Sequence, residues 1–497
     1  MAALLLAALL AVAPAPAPNV VLVMTDDQTL RDMQVMPRTR AAIGAQGVTF
    51  TDHRASYPLC CPARATLLTG QYAHNHRVLG NFTPQGGYAR LDKRHTLPVA
   101  LQDAGYATAH IGKYLNGYEH KPFRDVPPGW SNWHGSLRTY RMYGFILNEN
   151  GKANKYGELR KETKRLYQTN VYRRIATRFI RGRKGKDRPF YLSVAFLAPH
   201  AEVYDRKGVP APSVRADPAD VGRFGRKPLP RGASFGEADM SDKPGWLRKE
   251  LGGPQHVLTP FQIANITRRY RERQEALLGV DRAVEAIVNT LRNTGQLRST
   301  YVIFTSDNGF MEGQHRIKSG KLVAYEPSAQ LPLLMRGPGI PAGRRSREPV
   351  IDVDLAPTIL DMANAGRRGW TIDGRSMLPF AQRPGRARTS RPRLQEIGPQ
   401  QNTRDLDQDG RRVPPDELLR TPRYGGVSTT RYRYVRYRNG QEELYDMARD
   451  PEQLDNRSAD PRYRRTRRVL RRQLRRLATC AGPECRKRIG AIPGPAR

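Results

Sequence analysis

The run NVVLVMTDDQ, residues 19–28, limits most sharply what this chain folds into. Apolar residues follow one another without polar alternation, and two carboxylates close the run. A strand with one face in water alternates, whereas a run apolar on both faces belongs in a parallel sheet covered by helices. PFYLSVAFLAPH (residues 189–200) and STYVIFTSDNG (residues 299–309) are built the same way. GVTF (47–50), TAHIGKYLN (108–116) and LPLLMRGPG (331–339) read as further strands. Between them, helices are expected over 37–46, 97–104, 158–183 and 352–365. The longest spans 261–295, where Leu277, Leu278, Val280, Ala283, Val284, Ile287 and Leu291 mark the apolar stripe. Strands alternating with helices over most of the chain predict an α/β fold, a largely parallel central sheet flanked by helices. Sites in such sheets collect at the carboxyl ends of the strands, where Asp26, Asp27, Asp307 and Asn308 stand.

The remaining segments divide the chain. Residues 1–18 read as a probable signal peptide: an apolar run ends in small residues, with Ala-x-Ala sites at Ala11–Ala13 and Ala15–Ala17, although the basic leading region is reduced to the terminal amine. Residues 19–366 read as one main domain, the one expected to carry the site, with loops expected at 121–152 because of their Gly, Pro, Trp and Tyr, and a polar insertion at 201–255. Residues 367–419, rich in Arg, Pro and Gly, read as a linker or surface excursion. Residues 420–497 form a smaller C-terminal α+β subdomain. There TTRYRYVRY, an Asn439-Gly440 turn and EELYDM make a hairpin, followed by a basic helix over 461–478.

CCPARATLLTG, residues 60–70, reads as a short helix with a reactive residue at its mouth. Pro62 suits the first turn and Gly70 the exit. Cys60 then faces unpaired N–H groups and the positive end of the helix dipole, with Arg64 leaning back toward the same point. That pattern alone fits an activated thiolate nucleophile. Asp26, Asp27, Asp307 and Asn308 offer only oxygen donors, the set that suits Ca²⁺ or Mg²⁺ and not zinc.

Taken together the motifs resemble the sulfatase family of the alkaline phosphatase-like fold. MTDDQ, CCPAR, GKY, APH, SDNG and GKLVAYE fall in family order across most of the chain. The resemblance implies that Cys60, and not the neighbouring Cys61, is oxidised by a formylglycine-generating enzyme. It implies one divalent ion, usually Ca²⁺, held by Asp26, Asp27, Asp307 and Asn308 with residue 60 completing the shell. Arg64, Lys113, His200 and Lys321 line the sulfate site by the same resemblance; Lys321 is chosen over Lys318 for its spacing to Tyr325-Glu326. A hydrated aldehyde at residue 60 carries two hydroxyls on one carbon: one attacks sulfur, and the second later expels sulfate. At the first of these steps His200 or Lys321 protonates the departing alkoxide. One departure stands out. Many members have histidine two residues after the lysine, where this chain has Leu115 in GKYLN, as glucosamine-6-sulfatase-like and heparan-type members do. Asn116, His110 and His315 are the candidates for its role.

Charge and cysteine content bound the partners. There are 84 Lys and Arg against 46 Asp and Glu, a net charge of +38, which favours anionic partners. No nucleic-acid motif accompanies it, so no nucleic acid is expected. The expected substrate is a sulfated small molecule or glycan. Cys480 and Cys485, bracketing Gly and Pro in CAGPEC, are expected to form a disulfide, which fits a secreted, periplasmic or cell-surface protein without a stable membrane span. Two other functions compete: a phosphonate monoester or phosphodiester hydrolase on the same fold, and a basic polyanion-binding protein.

Overall fold

The computed structural model describes residues 17–118, 124–137, 139–158, 163–204, 210–367, 369–385, 391–399 and 419–496. The signal-peptide run therefore lies outside the described residues, apart from its last two positions, and so do residues 368, 386–390 and 400–418 of the 367–419 segment. Ten strands make the main sheet, in the order Arg344–Ser346, Val48–Phe50, Leu333–Arg336, Thr300–Ser306, Asn19–Thr25, Phe190–Ala195, Ala107–Gly112, Asn132–Ser136, Phe145–Glu149 and Lys152–Tyr156. The five central strands from Thr300–Ser306 to Asn132–Ser136 are mutually parallel. All three runs read as two-sided apolar strands are among them and are buried throughout, apart from the first residue of Asn19–Thr25. One core lies on each face. The helix Pro260–Asn293 supplies Ala276, Val280, Ala283 and Ile287 to one, and the helix Leu355–Met362 supplies Leu355, Ile359 and Leu360 to the other.

Register places the strand ends together. Thr25 lies beside Ser306, Met24 beside Ala195, and Ala195 beside Gly112. The next residues along these chains are Asp26, Asp307, Phe196 and Lys113, so four separate segments leave the sheet at one edge. Gly112 makes this exit possible. Its φ of 106° suits glycine, and a Cβ there would overlap the Ala195 carbonyl oxygen.

Three expectations are corrected. Residues 121–152 were expected as loops, yet Asn132–Ser136 and Phe145–Glu149 extend the sheet; Trp133, Phe145 and Leu147 are buried, and aromatic side chains favour such positions. The helix expected over 158–183 begins only at Gln168 and ends at Gly182. The 367–419 segment includes the strand Arg393–Ile397, edge of a four-stranded antiparallel sheet with Tyr424–Ser428, Tyr432–Tyr437 and Glu442–Asp446. It is drawn in by Arg393, fully buried, whose guanidinium meets Asp52 Oδ2 at 2.8 Å and the Asp52 carbonyl at 2.8 Å.

The second sheet is apolar on both faces. Tyr424, Val435, Tyr437 and Tyr445 pack on Tyr57, Leu59, Val323 and Tyr325. Val427, Tyr432, Tyr434 and Leu444 pack on Leu470, Leu474 and Leu477 of the basic helix Arg464–Leu477. Cys480 and Cys485 are joined in a disulfide. No helix among the described residues is long and apolar enough to cross a membrane.

Gly112→Ala is expected to cost about 1–3 kcal/mol of unfolding free energy, from the strained φ and the overlap with Ala195. Urea unfolding of the two proteins measures it.

Candidate functional site

The helix Cys60–Thr69 is buried along its whole length and ends at Gly70, whose φ is 66°. Gly70 is required twice: by that φ, and because a Cβ would press on Ile372 at 2.9 Å. At the other end the Cys61 N–H is capped by Asn81 Oδ1 at 3.0 Å. Cys60 therefore sits at the helix mouth, fully buried, beneath the sheet edge.

Around it the sheet-edge residues converge. The Cys60 thiol donates to Asp26 Oδ1 at 3.3 Å and receives Lys321 Nζ at 3.0 Å. Asp26 also binds Arg64 Nη2 at 2.9 Å and Lys113 Nζ at 2.6 Å through its other oxygen. Arg64 Nε meets Asp307 Oδ2 at 2.8 Å, and Arg64 Nη1 donates to the Lys113 carbonyl at 2.7 Å. Asp27 Oδ1 receives both Lys321 Nζ and Asn308 Nδ2 at 2.6 Å. His200 Nε2 stands 3.6 Å from Asp27 Oδ2, while its Nδ1 donates to the Ala201 carbonyl at 2.6 Å. All nine residues singled out in the sequence, from six separate stretches, thus lie in one cluster, each nearly or wholly buried.

The backbone is bent to bring them in. Asp27 has a φ of 65° and Leu322, just after Lys321, one of 72°, conformations that non-glycine residues rarely adopt. Leu322 is held there by its N–H on the Pro58 carbonyl at 3.2 Å. The Asp27 N–H donates to Asp307 Oδ1 at 3.2 Å. Gly309 admits the Pro327–Ser328 backbone to a distance no side chain would allow.

Electrostatics follow from three carboxylates and three cations sharing a buried volume. Burial pushes the Asp26 carboxyl up, but Lys113 and Arg64 together hold it well below the usual carboxylate range. The Asp307 carboxyl is raised by burial and by Asp26. Burial and Asp26 also push the Cys60 thiol well above its ordinary value. This corrects the expectation that the helix end and Arg64 favour charge on residue 60: the Arg64 fork is engaged by Asp307, Asp26 and the Lys113 carbonyl. A neutral thiol is not an activated nucleophile.

Asp26, Asp27, Cys60 and His200 each bring a donor atom within 4.8 Å of one another, the spacing of a metal site. Asn308 Oδ1 is buried and accepts no hydrogen bond among the described residues. A buried carbonyl oxygen left so, beside carboxylates, fits a hard cation.

Of the candidates for the missing histidine, two are placed elsewhere. His110 stacks on Trp133 at 4.9 Å and bonds Ser193, and burial pushes its pKa down to about 3, keeping it neutral. His315 pairs with Glu237 at 2.6 Å and lies against Tyr325. Asn116 remains: its Nδ2 holds the Tyr140 hydroxyl at 2.6 Å, and that hydroxyl receives Lys113 Nζ at 3.3 Å. The Tyr140 ring also lies 5.0 Å from that of His200. Tyr140 was missed because no spacing marks a lone tyrosine in a Gly- and aromatic-rich stretch.

Arg273 was missed as well. From the long helix it donates to the Asp27 carbonyl at 2.6 Å, to Asp32 at 3.3 Å and to Glu312 at 2.9 Å, and it is buried. It holds the strained Asp27 peptide from behind. An arginine on the apolar face of a helix is the signal that would have found it.

Comparison with known proteins gives the following. The family described as Sulfatase matches residues 18–365. N-acetylglucosamine-6-sulfatase of Capra hircus is 33% identical over 498 residues, covering 94% of this chain and 85% of that protein. A solved structure of a protein in complex with its substrate D-glucosamine-2-N,6-O-disulfate matches with a TM-score of 0.71 at 22% identity, covering 92% of this chain and 97% of the other. The phosphonate monoester hydrolase of Agrobacterium radiobacter matches with a TM-score of 0.66 at 23% identity, covering 93% and 95%.

Arg273→Met is expected to cost about 3–5 kcal/mol of stability, because Asp32 and Glu312 lose their buried cation. Glu312→Gln is expected to cost much less, since burial already pushes that carboxyl up to about 7. Urea denaturation of both variants separates the two effects.

Proposed function

The chain belongs to the sulfatase family, and from that premise we propose that it hydrolyses an O-sulfate ester of a glycan to the alcohol and inorganic sulfate, with the reacting group at residue 60. The observation that carries this reading is the position of Cys60, at a helix mouth between the Asp26 carboxylate and the Lys321 ammonium. A buried neutral thiol there suits a precursor of formylglycine better than a nucleophile in its own right. Once formed, the hydrated aldehyde supplies the attacking oxygen and the means of releasing sulfate. The relative active on N-acetylglucosamine 6-sulfate, by its name, and the fold neighbour bound to a disulfated glucosamine support an amino-sugar sulfate as the substrate class.

Each residue has a role in this reading. Asp26, Asp27, Asp307 and Asn308 would hold a divalent cation, with Ca²⁺ the ion best suited to an all-oxygen set. When bound, it supplies positive charge to the sulfuryl oxygens and to the hydroxyl at residue 60. Lys113 and Lys321, whose ammonium groups lie on Asp26 and Asp27, pair with the anionic sulfuryl group as it accumulates charge. Arg64 holds Asp26 and Asp307 in place and favours their ionised forms. His200 has its Nδ1 proton fixed on the Ala201 carbonyl, which leaves Nε2 to hold and release the proton that the departing alkoxide needs. Tyr140, steadied by Asn116, orients Lys113 and packs beside His200. Export accords with the Cys480–Cys485 disulfide and the apolar N-terminal run.

The test is a panel of aryl esters with protein made in a host that has the modifying enzyme. Sulfate ester turnover is expected to dominate, with the residue 60 peptide carrying the aldehyde mass. Preferred hydrolysis of a phosphonate monoester or phosphodiester, or full activity with an unmodified thiol, would overturn the reading.

Cys60→Ser keeps one hydroxyl and loses the second. It is expected to release about one equivalent of alcohol, become sulfated on the serine, and stall. Rapid-quench assay and intact-mass measurement check this; steady turnover would contradict it.

Chelation is expected to abolish sulfate ester hydrolysis and Ca²⁺ to restore it, with elemental analysis finding one ion per chain. Activity indifferent to chelator would remove the cation from the mechanism.

A further inference from the structure

A second cationic site lies on the C-terminal sheet. A groove of about 430 Å³ runs between the strands Tyr424–Ser428 and Tyr432–Tyr437 and the basic helix, lined by Arg423, Arg436, Arg438, Arg471 and Arg475. Glu442 takes up part of this charge, meeting Arg471 at 2.5 Å and Arg436 at 3.6 Å. Arg423, Arg438 and Arg475 are exposed and make no ion pair among the described residues.

Folding alone does not call for this arrangement. Tyr424 pairs with Tyr437, so Arg423 and Arg438 stand directly opposite each other across the antiparallel pair, and the Arg438 N–H donates to the Arg423 carbonyl at 2.9 Å. Like charges in that relation are destabilising. Arg475 stands one helical turn from Arg471, whose charge Glu442 already meets, and adds its own charge to the same groove. One like-charge pair and a third guanidinium therefore converge on the groove, and an anionic ligand relieves them. Planar guanidinium groups suit sulfate and carboxylate oxygens, which they meet with paired N–H donors. Tyr424 and Tyr437 border the groove along their strands, and their side chains belong to the apolar core packed on Tyr57 and Leu59, the segment leading into Cys60.

We propose that this groove is an exosite that binds an anionic stretch of a sulfated polysaccharide. The choice of polysaccharide over nucleic acid rests on the sulfatase reading of the residue 60 site. The groove engages charged units of the polymer that are not being cut, and so raises the local concentration of ester near the site.

The test uses the full chain, with heparin and a double-stranded DNA oligonucleotide as probes, titrated at 150 mM salt, where charges further apart than about 8 Å are screened. The triple variant Arg423→Glu, Arg438→Glu, Arg475→Glu is compared with Arg181→Glu, Arg298→Glu, Arg344→Glu, which reverses the same charge at exposed positions on other elements. The expected result is that the groove variant binds heparin at least about tenfold more weakly than the control variant, at an unaltered melting temperature. Equal loss in both variants would reduce the effect to diffuse net charge and overturn the proposal. It would also be overturned if the wild type failed to bind heparin at this salt, or if DNA bound as tightly as heparin and lost as much in the groove variant. Binding is read without turnover, and wild-type hydrolysis of a small aryl sulfate tests the residue 60 site separately, so a failed groove and a failed sulfatase reading are told apart.

Discussion

Three carboxylates and three cations buried in one volume are the constraint on which the structure turns. Asp26, Asp27 and Asp307 repel one another, and the interior offers no water to weaken that repulsion. Arg64, Lys113 and Lys321 arrive from the Cys60 helix, a strand end and a distant loop, and each is tied to a carboxylate at 2.9 Å or less. Removing any one partner would leave an uncompensated buried charge, the costly case. The sheet, the helix and the loop are thus held in mutual register by the charges they carry. Asp26 is the hub, since it alone touches residue 60, Arg64 and Lys113.

Holding such a cluster needs rigid support on both sides. From one side Arg273 grips the Asp27 carbonyl while neutralising Asp32 and Glu312. From the other, the four-stranded sheet packs its tyrosines against Leu59 and Val323, next to Cys60 and Lys321. Tyr325 adds a hydrogen bond to Glu443 at 2.9 Å. The C-terminal sheet therefore acts as a wall behind residue 60 as well as a surface of its own. Asp27 and Leu322, the positive-φ residues beside the charged cluster, lie at these supported points, where surrounding contacts can bear the strain.

The arginine excess divides into two populations with different physics. Arg64, Arg273, Arg391 and Arg393 are buried and paired with carboxylates, where they join segments far apart in sequence. Arg423, Arg438 and Arg475 are exposed and face one another across a groove. The net charge of +38 alone cannot separate these cases, because it counts a guanidinium the same wherever it lies. Only the buried set contributes to the fold; the exposed set opposes it locally and gains its purpose from a ligand.

Much of this molecule was legible in the chain itself. Continuous apolar runs ending in acids specify buried parallel strands, since no other placement hides both faces, and CCPAR with SDNG and GKLVAYE marks the family. The long helix at Pro260–Asn293 was read to within two residues at each end, because its stripe is strongly periodic. What tertiary structure decided was everything set by contact between distant segments. Strand order and register bring Asp26, Lys113, His200 and Asp307 to one edge, and no local pattern encodes that order. The strand Arg393–Ile397 reads as a linker because its stabilising partner, Asp52, is far away in sequence. Tyr140 and Arg273 carry no motif, and their positions beside Lys113 and Asp27 exist only once the chain is folded. Local propensity and periodicity act over a few residues, whereas the balance of buried charge acts across the whole chain.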